Sequence, residues 1–143
     1  MLRLCALLLL PGLAACSSLS NCPKGEEPRI ITTGKTYTDP SLFYESAPLW
    51  GPLDAFPAQT ELVFVHNLGV TPEAPESMLS FSKDGIVGGE LTPNAGNQGE
   101  ITCVDDKVIV IKNGTCEKDF YIRVTAAATG NTTGAPACEL DPK

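Results

Sequence analysis

A single histidine and six cysteines set the limits of the chemistry open to this 143-residue chain. A Ser-His-Asp or Cys-His arrangement would have to be built on His66, and no Gly-x-Ser-x-Gly elbow accompanies it. His66 follows an apolar run and precedes a turn, where a ring nitrogen commonly bonds a loop carbonyl. A structural role is therefore expected for it, with ligand binding as the alternative. No cysteine pair has the Cys-x-x-Cys spacing of a zinc site, so no metal is expected. Asp105-Asp106, Glu73 with Glu76, and Asp84 could offer acid and base to a glycosidase, or oxygens to Ca²⁺. Adjacent strand residues point to opposite faces, however, and no loop has EF-hand spacing, so solvated turns explain these carboxylates. Gly85, Gly88 and Gly89 precede neither a helix nor a Lys-Ser/Thr pair, which leaves no phosphate cradle. With 10 Lys plus Arg against 17 Asp plus Glu and a net charge of -7, nothing gathers phosphates, and nucleic acid is not an expected partner. No cofactor and no enzymatic activity are expected; a small hydrolase using His66 or a carboxylate is the least favoured alternative.

One thiol has a different chemistry. Met1 to Cys16 runs from Arg3 through an apolar stretch, Leu4 to Leu10, to Pro11-Gly12 and then Leu13-Ala14-Ala15-Cys16. The stretch is shorter than the roughly 20 residues a membrane-crossing helix requires, so it reads as a secretion signal. Its last four residues resemble the lipobox of bacterial lipoproteins: an aliphatic residue, two small residues and a cysteine. The resemblance implies that Cys16 receives diacylglycerol, becomes the first residue of the mature protein and is acylated again. It implies a membrane partner held through acyl chains. Ser17 in the next position is similar to lipoproteins sent to the outer membrane rather than kept at the inner one. Asn113-Gly114-Thr115 and Asn131-Thr132-Thr133 match the glycosylation sequon, but that bacterial context makes them turn residues.

If Cys5 leaves with the leader and Cys16 carries lipid, four cysteines remain: Cys22, Cys103, Cys116 and Cys138. An even count in an exported chain favours disulfides. Four cysteines allow three connectivities. The strand-like segments around Cys103 and Cys116 favour that pair, which leaves Cys22 with Cys138.

The elements that must position these residues read as strands and turns. Residues 1–15 are the leader, 16–28 a lipidated tether, 29–138 a single domain and 139–143 a tail. Arg29 to Tyr37 is β-branched enough for a first edge strand. Asp39 to Pro57 carries Pro40, Pro48, Pro52 and Pro57, which predicts an irregular arm or one helical turn near Ser41 to Glu45. Its aromatics either plug one end of the core or, as Trp50 with Tyr44, line a ligand-facing platform. Glu61 to His66 is an apolar strand. Ser77 to Ser82 alternates before Lys83-Asp84-Gly85, a hairpin cue that predicts a return strand through Ile86 and Val87. Leu91 to Gly99 is a loop. Ile101 to Val104 and Val108 to Ile111 form a hairpin or one long strand, and Asn113-Gly114 marks a turn. Phe120, Ile122 and Val124 share one face of the last strand, opposite Tyr121, Arg123 and Thr125. Ala126 to Lys143 is expected to be loose except where Cys138 pins it.

Six or seven short strands separated by turns predict an all-β fold, a small antiparallel β-sandwich with a Pro-rich N-terminal arm and two disulfides. His66-Asn67-Leu68-Gly69-Val70-Thr71-Pro72 before a strand resembles the His-x-Leu-Gly-x-x-Pro opening of small β-sandwich modules in phage tail and host-attachment proteins, followed loosely from residue 61 to Thr125. Two cysteines in the last strands and the Pro-rich arm depart from that pattern. The expectation for function is a lipid-anchored module of the bacterial cell envelope that binds a protein or glycan, with Trp50, Tyr44 and the Leu91 to Gly99 loop as its contact region. A structural envelope lipoprotein without a small ligand is the alternative.

Overall fold

The computed structural model describes Cys22 and residues 29–31, 34–39, 41–128 and 136–140. The expected leader, the lipidated Cys16, nearly all of the tether and the last residues of the tail lie outside them. Among the described residues, ten strands make two sheets. In the first, the order is β1 (Arg29–Ile31), β5 (Glu61–Val65), β9 (Val108–Lys112) and β8 (Glu100–Val104). In the second it is β2 (Lys35–Tyr37), β3 (Phe43–Glu45), β10 (Phe120–Ala127), β6 (Glu76–Ser80) and β7 (Thr92–Pro93), with β4 (Asp54–Phe56) also paired to β10. Every pairing is antiparallel except β1 with β5.

The inner faces follow from side-chain alternation. On β10, Phe120, Ile122, Val124 and Ala126 point inward, and the residues between them are half-buried. They join Tyr44, Phe56 and Leu79 from their own sheet and Ile31, Leu62, Phe64, Ile109 and Ile111 from the other in one core. β5 and β9 read as continuous apolar runs because both of their faces are covered. Val63, Val108 and Val110 on the outer face form a second cluster under Val65, Cys103 and Cys138. The C-terminal segment is thereby fastened over the first sheet.

Three local expectations are corrected. Arg29 to Tyr37 is two strands, one in each sheet, with Gly34 between them; a Cβ there would lie 2.4 Å from the Tyr44 ring. The Pro-rich arm contains β3 and β4, which lie on the same side of β10 with its prolines 48, 52 and 57 outside the ladders. The Asp84-Gly85 hairpin does not form. Ile86 and Val87 sit in α1 (Gly85–Gly88), a single helical turn, and the partner of β6 is β7, with Met78 opposite Pro93. Backbone bonds to the arm recruit the turn instead: Leu53 N–H to Lys83 O at 2.7 Å and Ile86 N–H to Leu49 O at 2.8 Å.

The disulfides are Cys22–Cys116 and Cys103–Cys138, not the pairing favoured from the sequence. The ladder explains the difference. β8 and β9 do form the hairpin, with Glu100 opposite Lys112 and Cys103 opposite Val110. Cys116 lies beyond Lys112, so the chain carries it away from Cys103 toward the other end of the sandwich, where Gln59 donates to Gly114 O and Thr115 O and also reaches Cys22 Sγ at 3.8 Å.

Candidate functional site

His66 is fully buried, and both of its ring nitrogens are occupied. Leu68 N–H donates to Nδ1 at 3.1 Å, so the proton resides on Nε2, which donates to Asp105 O at 3.1 Å. Burial pushes the imidazole down from its ordinary value and keeps it neutral. This histidine joins the end of β5 to the β8–β9 turn and offers no free nitrogen to a substrate. Asp105 is equally committed. Its Oδ1 accepts from Lys107 N and Val108 N at 2.8 and 2.7 Å, and its Oδ2 accepts from Cys138 N at 2.8 Å. Burial raises its carboxyl pKa, but those backbone donors outweigh burial and hold it below the usual carboxylate range.

The expected pairing of Trp50 with Tyr44 as one platform is also corrected. Tyr44 is fully buried, its ring 6.1 Å from that of His66, and its hydroxyl has no hydrogen-bond partner among the described residues. Alternation along β3 fixes this: Tyr44 lies opposite Ala126, an inward position. Trp50 is 67% exposed and belongs to a different cluster.

That cluster is a double-loop tip. Residues 47–53, between β3 and β4, lie backbone to backbone against residues 83–87. Two glycines allow the approach. Gly51 has φ +73 and a Cβ there would sit 2.4 Å from Lys83 O; Gly85 has φ +58 and a Cβ would sit 2.1 Å from Leu49 O. The Gly51–Pro52 peptide bond is cis. At the base of the tip Arg123, on the outer face of β10, donates from Nε to Ala47 O at 2.8 Å and from Nη2 to Glu45 Oε2 at 2.9 Å. The loops are thus fixed while Leu49, Trp50, Ile86 and Val87 remain exposed, at 40%, 67%, 61% and 78%. Clustered apolar exposure of this kind marks contact with something other than water.

Beside the tip lies a cleft of about 280 Å³. Phe81, 72% exposed and with its ring centroid 5.2 Å from that of Phe120 at a tilt of 49°, forms one wall. Ser82, Glu90, Thr92 and Gln98 supply polar groups around it. Among the described residues, the Glu90, Thr92 and Gln98 side chains make no hydrogen bond and stay available to a ligand. Thr92 and Gln98 come from the Leu91 to Gly99 segment, so the structure brings part of that expected contact region to the same end as Trp50. The alternating pattern carries Phe81 inside a strand to Ser82, whereas β6 ends at Ser80 and leaves Phe81 just past the ladder, where its role at the cleft has no signal in the sequence. No group of three His, Cys, Asp or Glu is placed to hold a metal among the described residues. No helix among them is long and apolar enough to cross a membrane. No protein-family model, curated protein or solved structure matches the chain.

Proposed function

We propose that the protein is a lipid-anchored lipoprotein of the bacterial cell envelope, outer membrane rather than inner, whose disulfide-stapled sandwich works as a binding module for a protein or glycan. The observation that carries the binding role is the rigid end built from residues 47–53 and 81–98. It carries a cleft walled by Phe81 and Phe120 and edged by Ser82, Glu90, Thr92 and Gln98, beside loops held by backbone hydrogen bonds. Turnover is disfavoured because His66 and Asp105 spend their polar atoms inside the fold. The lipid anchor is supported by Leu13-Ala14-Ala15-Cys16 and by four further cysteines that are all paired in bridges, as an oxidising compartment permits.

The test is capture of cross-linked envelope components by the full chain and by a Phe81→Ala, Gln98→Ala variant with an unchanged unfolding midpoint. The expected result is a retained component that the variant loses. Equal retention by both chains would remove the cleft from the account. Recovery of no component by either would favour a structural lipoprotein.

A further inference from the structure

We infer that the double-loop tip rests in the interface of the bilayer to which the chain is anchored, with Trp50, Leu49, Ile86 and Val87 among the lipid headgroups and upper acyl chains. The inference rests on the lipid-anchored reading and adds the pose of the domain to it.

The first support is reach. Six residue steps separate Cys16 from Cys22, so the lipidated sulfur lies at most about 21 Å of extended chain from Cys22. Cys22 is bridged to Cys116 and touches Gln59. Gln59 is six residues along the chain from Leu53, which is bonded to Lys83 in the tip. The anchor point follows the C-terminal end of β4 and the tip precedes its N-terminal end, so the two are separated by at most about 21 Å of extended chain. That separation does not exceed the leash, which lets the tip reach the surface that holds Cys16.

The second support is composition. A tryptophan flanked by aliphatic residues suits the headgroup boundary, where an amphipathic ring has both apolar and polar surroundings. Lys83 and Asp84 in the adjoining loop are opposite in charge, so the tip adds no local repulsion to a chain whose net charge is -7. The third support is rigidity. With Gly51 and Gly85 pressing the loops together, the apolar side chains cannot withdraw without breaking the bonds at Leu53 and Ile86. Ligand recognition then falls to the neighbouring cleft, whose Glu90, Thr92 and Gln98 stay in water.

Trp50 is the only tryptophan, so its fluorescence reports this contact directly. The chain processed to begin at Cys16 has one free thiol, since the other four are bridged. It can be coupled to a maleimide lipid in phosphatidylcholine vesicles, which supplies the tether even if the cell does not. Emission is expected to shift to shorter wavelength and to be quenched by brominated acyl chains. An Ile86→Ser, Val87→Ser variant should lose most of that quenching while keeping its unfolding midpoint. Emission that matches the uncoupled chain and ignores bromolipid would overturn the inference. So would a blue shift that depends on protein concentration without lipid quenching, which would assign the tip to a second copy of this chain. Intact mass of the cellular product reports acylation separately, so failure of the anchor and failure of the pose are told apart.

Discussion

Removing the bridges one at a time tests how the ends of the chain are held. Cys22–Cys116 closes a separation of 94 residues and Cys103–Cys138 one of 35. In the chain-entropy treatment these loops are worth about 4.7 and about 3.8 kcal/mol at 25 °C. For a domain of this size, at about 2.1 cal/mol/K of unfolding entropy per residue, those energies correspond to midpoint shifts of about 19 and about 15 °C. The Cys103→Ala, Cys138→Ala chain also uncovers Val63 and Val110, which brings its loss closer to that of the longer loop. The assay is thermal and urea unfolding of each double variant, with a non-reducing digest of the parent to identify the bridged peptides. Either double variant losing less than about 1 kcal/mol would mean that the bridge it lacks does not hold the fold together. A digest that joins Cys103 to Cys116 would refute the pairing itself.

Three further outcomes follow from buried groups and from the tip. Tyr44→Phe should stabilise the fold by about 1–3 kcal/mol, because the hydroxyl it removes is buried without a partner among the described residues; urea unfolding checks this, and a loss of stability would contradict it. His66→Leu strands Leu68 N–H and Asp105 C=O and should cost about 2–6 kcal/mol in the same assay. In the parent chain, the folded imidazole resists protonation, so below the ordinary value of 6.5 the unfolded chain binds more protons and stability declines. Asp105, held below its ordinary 3.8, contributes fully above that pH and loses its contribution as the pH falls through its folded value. Unfolding midpoints measured against pH should therefore be flat just above 6.5 and fall below it, and His66→Leu should remove the upper part of that fall. Gly85→Ala forces a side chain into a left-handed backbone against Leu49 O and should cost about 1–2 kcal/mol or more while changing Trp50 emission; an unchanged spectrum would mean the two loops are not locked.

The parts of the fold that were legible in the sequence are those whose signal is local. Phe120, Ile122 and Val124 alternate within one strand and are buried together, and Asp105-Asp106-Lys107 turns the β8–β9 hairpin. His66 before its turn is the structural histidine that its position predicted. The rest depends on contacts between distant segments. Asp84-Gly85 carries a hairpin signal that loses to the arm at Leu49 and Leu53, more than thirty residues earlier in the chain. Tyr44 and Trp50 look alike in the sequence, and only the register of β3 on β10 sends one inward and leaves the other outside. The bridges failed for a related reason, since the hairpin that brings Cys103 beside Val110 also carries Cys116 away.

The most direct measurement is the intact mass of the chain extracted from bacterial membranes, recorded before and after reduction. The expected product is a polypeptide whose first residue is Cys16 bearing acyl chains, with a mass increase on reduction equal to two opened bridges. A product that starts elsewhere, or that carries an unmodified thiol at Cys16, would contradict the lipid anchor.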